Sequence, residues 1–207
     1  MQMHLSGSPS NRVSPLIGDA SFWINLFATG QSESLLNAFG ELPRITDTAL
    51  RELGRGRSKG RCAAELMDTL VCAGGVKVER CAAEDEQAFL NLTIGPAENT
   101  LDDGEAATLV CASRLGGTAI IDERKATSLA EIVFPKIQII STVELIIEAG
   151  KISKLNGDFI SDAIFNALVD ARMRVPDRYL STVVSLLGAE RASKCLSLPA
   201  HVRITTK

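Results

Sequence analysis

The chain has 207 residues, 45% of them apolar, which suits an α/β domain with a packed core. Its formal net charge of −3 excludes a polycation, so nucleic acid could be held only by a local basic patch. No run of about 18 uninterrupted apolar residues occurs, so no membrane span is expected, and the opening "MQMHLSGSPSNR" lacks a signal-peptide core.

In chain order, residues 1–13 read as a flexible tail. "PLIGDASFWINLFATG" (15–30) opens with a short buried strand ending near Asp19, followed by a helix with Phe22, Ile24, Leu26 and Phe27 as its apolar positions. "QSESLLNAFG" is a second helix closed by Gly40. "PRITDTALRELGRG" offers a strand through Ile45 and then a helix carrying Glu52; "SKGRCAAELMDTLVCAGG" is another helix. "VKVERC" alternates as a strand does, and "AEDEQAFLNLTIG" is helical. "NTLDDGEAATLVCASRLGG" is a helix, "TAIID" a buried strand, and "ERKATSLAEIVF" the helix after it. "PKIQIIS" and "TVELIIEAG" repeat the strand-then-helix order, with Ser141 or Thr142 as cap. Such alternation predicts βα units on a mostly parallel sheet flanked by helices, over residues 14–150. After 150 two amphipathic helices follow with no strand between them. Their stripes are Ile160, Ile164, Phe165 and Leu168, then Tyr179, Val183 and Leu187, which predicts a helical extension over 151–195.

The acids are placed unevenly. In a parallel sheet, ligands sit beyond the carboxyl ends of the strands. Asp19 ends the first strand and Asp122 ends "TAIID"; Asp102 and Glu105 share one face at a helix start; Glu52 lies in the first turns after the Ile45 strand. Together they make a cup for Mg²⁺ or Mn²⁺, which take a few carboxylates and keep waters. Each acid also has a plainer reading. Asp19 and Asp122 could be helix caps, Asp102 and Glu105 a capping box, and Glu52 a solvated helix residue. The two histidines, His4 and His201, lie near the ends, which leaves no basis for a His-rich metal site or a Ser–His triad. The five cysteines lack C-x-x-C spacing and read as reduced core thiols of a cytoplasmic protein.

Beside Glu52, "RELGRGRSKGR" gathers Arg55, Arg57, Lys59 and Arg61, a candidate grip on a phosphate backbone or else a solvated loop. Aromatic residues are 4% of the chain, so no base-stacking platform is visible. An aspartate-nucleophile phosphatase would require D-x-D after the first strand, where this chain has "DAS".

"LIGDASFWINL", "ITDTALREL" and "LDDGEAATLVCASRLGGTAIIDERKATSLA" resemble the PIN domain superfamily. More closely, the chain resembles the PIN-like subgroup with L-D-x-G-E-A and I-D-[DE]-R motifs, over about residues 14–190. The resemblance implies a PIN-like three-layer α/β sandwich and a Mg²⁺- or Mn²⁺-dependent endoribonuclease leaving 5′-phosphate and 3′-hydroxyl ends. It places the four catalytic acids at Asp19, Glu52, Glu105 and Asp122, with Asp19, Glu105 and Asp122 as metal ligands, and Asn25 as a polar residue soon after the first acid. Asp102, Asp103 and Glu123 are reserve ligands, because this chain departs from the common pattern at Glu105 and Glu123. RNA as partner, a homodimer, and a role as the toxin of a toxin–antitoxin pair or a defence effector are further implications. The alternative is an inactive PIN fold acting as a nucleic-acid-binding or regulatory subunit.

Overall fold

The computed structural model describes residues 14–56 and 62–203. The expected tail 1–13 and the basic residues Arg57, Lys59 and Arg61 lie outside them.

Leu16–Gly18 form β1, Ala20–Ala28 α1 and Ser32–Asn37 α2. Arg44–Thr46 form β2, Asp47–Gly56 α3, Ala63–Cys72 α4 and Lys77–Glu79 β3. Glu86–Thr93 form α5 and Asp103–Leu115 α6, each preceded by a 3₁₀ turn, Ala83–Asp85 and Ala97–Asn99. Thr118–Ile120 form β4, Arg124–Val133 α7, Gln138–Ile140 β5 and Thr142–Ile152 α8. Gly157–Asp170 form α9, Asp177–Lys194 α10 and Ala200–Arg203 α11.

The five strands make one sheet in the order β3-β2-β1-β4-β5, with every pair parallel. This is the α/β sandwich that the alternation predicts. The central strands β1 and β4 are buried along their whole length because both faces are covered. Successive side chains point to opposite faces. Ile120 therefore joins an apolar cluster with Phe22, Trp23, Ile45 and Ile146. Its neighbours Ala119 and Ile121 join a second cluster with Leu109, Val110, Ala126 and Ala130. Helices α5, α6 and α7 close that second face.

Residues 151–195, expected as a helical extension, share the first cluster. Ile160, Ile164, Leu168, Val183 and Leu187 are buried with Trp23 and Ile146, and Phe165 and Tyr179 pack partly buried against them. The described residues go further than the expectation at the C-terminal end. Gly188, at φ 69° and ψ 165°, breaks α10 into two pieces, a conformation glycine adopts without steric cost. The fold-back that follows buries Cys195 and Leu198. The cysteines divide rather than all lying in the core. Cys111 and Cys195 are buried, whereas Cys62 and Cys72 flank α4 at its two ends and are exposed.

What positions a site is the strand order. From β1 the chain moves outward through β2 and β3, then returns to lay β4 on the other side of β1. The reversal opens a crevice beyond the carboxyl ends of β1 and β4, the usual place for a ligand in an open parallel sheet.

Candidate metal centre

Asp19 leaves β1 directly into that crevice. Its N–H donates to Ile120 O of β4 at 3.3 Å, which ties the two strand ends together. The side chain caps α1, with Oδ1 accepting from Phe22 N at 2.7 Å, while Ser21 Oγ donates to the carboxylate at 2.8–2.9 Å. It is 2% exposed. Burial holds its carboxyl well above the usual carboxylate range, the negative charges of Asp122 and Glu105 add to the rise, and the Phe22 and Ser21 bonds oppose it.

Asp122 lies two residues beyond β4. It does not cap α7; Glu123 does, accepting from Ala126 N at 2.8 Å. Asp122 instead reaches the start of α8. Oδ1 accepts from Thr142 N at 2.8 Å, and Oδ2 accepts from Thr142 Oγ1 at 2.5 Å and from Asn25 Nδ2 at 2.6 Å. Burial raises its pKa against the pull of these bonds and of the Arg174 charge.

Glu105 sits in the first turn of α6, whose N-cap is Asp102, accepting from Glu105 N at 2.8 Å. The Glu105 carboxylate is buried, and a hydrogen bond from the Asp102 main-chain N–H favours its charged form. Burial, then the charges of Asp102 and Glu123, push its pKa up to about 7.

Glu52 approaches from α3. Its residue is exposed as a whole, but the carboxylate folds back onto α6, where a Cβ on Gly104 would collide with Oε2. The glycine of "LDDGEA" therefore leaves room for an acid from another helix. Partial burial and then Asp102 raise the Glu52 pKa, and Arg55 opposes them.

Asp122 and Glu105 thus lie near enough to Asp19 for their charges to act on it, and Glu52 stands against the α6 turn beside Asp102 and Asp103. Of the reserve acids, Asp102 and Glu123 serve as helix caps and Asp103 is exposed. Arg55 ends α3, exposed, on the wall of a small cavity it shares with Glu52. Sequence reasoning missed Ser21, Thr142 and Arg174, whose Nη1 donates to the Asp122 main-chain oxygen at 2.8 Å. For Thr142 a signal existed: it follows β5, the neighbour of β4, so it had to arrive beside Asp122.

The donor set fits a hard divalent cation. All its side-chain donors are oxygens, and no described Lys or Arg forms an ion pair with Asp19, Glu105 or Asp122. Buried anions without a counter-charge are costly, and a bound cation removes that cost. The described side chains whose donor atoms all fall within 4.8 Å of one another are a different group, Cys81, Asp85 and Cys111. Asp19, Glu105 and Asp122 are not among the described residues that meet that spacing. The cysteine group is a poorer cation site. Asp85 Oδ2 already accepts from Arg114 Nε at 2.8 Å and from Ala82 N at 2.7 Å, so a guanidinium neutralises it.

A family model for a PIN domain matches residues 15–189. The chain belongs to the PIN domain family. No curated protein and no solved structure matches it. PIN domains are generally metal-dependent nucleases, and the match spans Asp19, Glu52, Glu105 and Asp122 alike. In this PIN domain no described helix is long and apolar enough to cross a membrane.

Proposed function

We propose that this PIN domain is a Mg²⁺- or Mn²⁺-dependent endoribonuclease, with Asp19, Glu105 and Asp122 as ligands and Glu52 as proton acceptor. One observation carries the assignment. Three buried carboxylates, just beyond β1 and β4 and in the first turn of α6, lie near enough at the reversal of strand order for Asp122 and Glu105 to repel Asp19, and no described Lys or Arg forms an ion pair with them. A bound divalent ion supplies a polarised phosphoryl oxygen and a water of lowered pKa.

The chain's own residues do the rest. Phe22 N–H and Ser21 fix the Asp19 carboxylate, and Asn25 and Thr142 fix that of Asp122, so neither has to be ordered during the reaction. Glu52 is the exposed acid of the set, and its raised pKa brings it toward the range of a general base. RNA rather than DNA as substrate, and a role as toxin or defence effector, rest on the likeness to the PIN-like subgroup.

The experiment is cleavage of labelled RNA with Mn²⁺ by wild type, Asp19→Asn and Asp122→Asn, with end analysis. Loss in both folded variants and 5′-phosphate products from wild type are expected. Unchanged cleavage by either variant overturns the assignment, and failure of wild type with any divalent ion favours the inactive binding subunit.

A further inference from the structure

An acid-lined crevice repels the polyanion it is meant to cut, so cations must stand beside it. The segment between α9 and α10 supplies them. The end of α9 is closed by Met173 N donating to Ala167 O at 3.0 Å, with Arg172 in the left-handed region at φ 56°. Glycine is the usual residue there. Over the next residues burial alternates: Met173 and Val175 are buried, while Arg172 and Arg174 are exposed. The two apolar anchors hold the two arginines outward.

Arg174 is tied at 2.8 Å to the main-chain oxygen of Asp122, which leaves its other N–H groups for a ligand. Both Arg174 and Asp122 line two cavities, of about 1030 and about 250 Å³. The larger holds Arg172 and the smaller holds Arg124 and Arg178. Arg178 is paired with Glu144 at 2.9 Å, whereas Arg172 and Arg124 form no ion pair among the described residues. Carboxylates share these walls: Glu123 is used as a cap, and Asp170 and Asp177 are exposed.

We infer that Arg172, Arg174 and Arg124 form a phosphate track that carries a single-stranded polynucleotide across Asp122, from the larger cavity to the smaller. The inference rests on the nuclease reading and adds the path of its substrate. Separate basic side chains along two adjoining cavities follow one backbone, which suits a single strand. Among the described residues Phe27 is the one aromatic side chain on the two walls, so recognition is of phosphates and tolerates any base sequence.

The test is binding of a labelled oligouridylate by fluorescence anisotropy in EDTA, which needs no cleavage. Arg172→Gln, Arg174→Gln and Arg124→Gln are compared with Lys136→Gln, an exposed control before β5, at the opposite end of the strands. Arg172 and Arg124, which make no described ion pair, keep the test independent of any effect of Arg174 on folding. Each arginine variant is expected to bind several-fold more weakly, with the slope of log K against log salt reduced by about 0.7. The control is expected to match wild type, and oligothymidylate to compete as well as oligouridylate. Wild type that does not bind at low salt, unchanged slopes in the Arg172 and Arg124 variants, or an equal loss in the control would each overturn the track. A track that holds while Mn²⁺ gives no cleavage would leave it standing and sink only the nuclease reading.

Discussion

Thr142 carries two of the three side-chain hydrogen bonds of Asp122, so the acid's orientation depends on it. Thr142→Val removes the hydroxyl bond and keeps the N–H bond. Loss of such a supporting group is expected to lower Mn²⁺ affinity or cleavage about 10–100-fold while the fold persists; an unchanged rate would show Asp122 to be held by other means. Glu105 gives a pH signature. Its folded pKa of about 7 stands above the ordinary 4.5, so the folded state binds the proton more tightly than the unfolded state. That stability is fully present below about pH 4.5 and is lost as pH rises through about 7, a change of roughly 3 kcal/mol at most. Asp19 and Asp122, also raised, act in the same direction. Melts in EDTA should therefore show a falling Tm over this window, shallower in Glu105→Gln, with Mn²⁺ reversing the fall in wild type alone. A Tm that climbs between those pH values contradicts the assigned environment. The acids were legible in the sequence because strand ends and a helix start mark them. Ser21 and Arg174 were not, because a supporting hydroxyl has the same local look as a cap, and a link to a main-chain oxygen leaves no pattern.

At the level of elements, the first turn of α6 is where helix propensity and function conflict. Alanine is better than glycine inside a helix by about 1 kcal/mol. A methyl group at position 104 would displace the Glu52 carboxylate, a movable side-chain end. Gly104→Ala should therefore keep or raise Tm while lowering cleavage. Combined with Glu52→Ala it should have no further effect on rate, since two changes acting on one contact do not add. Additive losses would place the damage elsewhere. All five strands were legible, Lys77–Glu79 by its alternation and the others as short segments with buried apolar residues after turn residues, although each is only three residues long. The 3₁₀ turns before α5 and α6, the Gly188 break and α11 were not. They are set by how the chain packs back on itself, and periodicity over so few residues carries no signal.

For the whole molecule, the C-terminal helices decide whether the core is closed. Truncation after Gly150 removes Ile160, Ile164, Leu168, Val183 and Leu187 from the cluster that buries Phe22 and Trp23. Burying each such side chain contributes about 1.5–3 kcal/mol, against a total stability of about 5–15 kcal/mol. The truncated chain should be insoluble or fail to show a cooperative melt; a soluble, active remnant would make residues 151–195 a true appendage. The family match through residue 189 agrees with a fold that needs them. Above all of this stands the claim that one divalent ion binds between Asp19, Glu105 and Asp122. Calorimetric titration of the metal-free protein with Mn²⁺ tests it most directly, with circular dichroism verifying the fold of each variant. Wild type should bind one Mn²⁺ with release of protons above the acids' ordinary range, and Asp19→Asn and Asp122→Asn should each lose that binding while remaining folded. Undiminished Mn²⁺ binding in both folded variants would contradict the account.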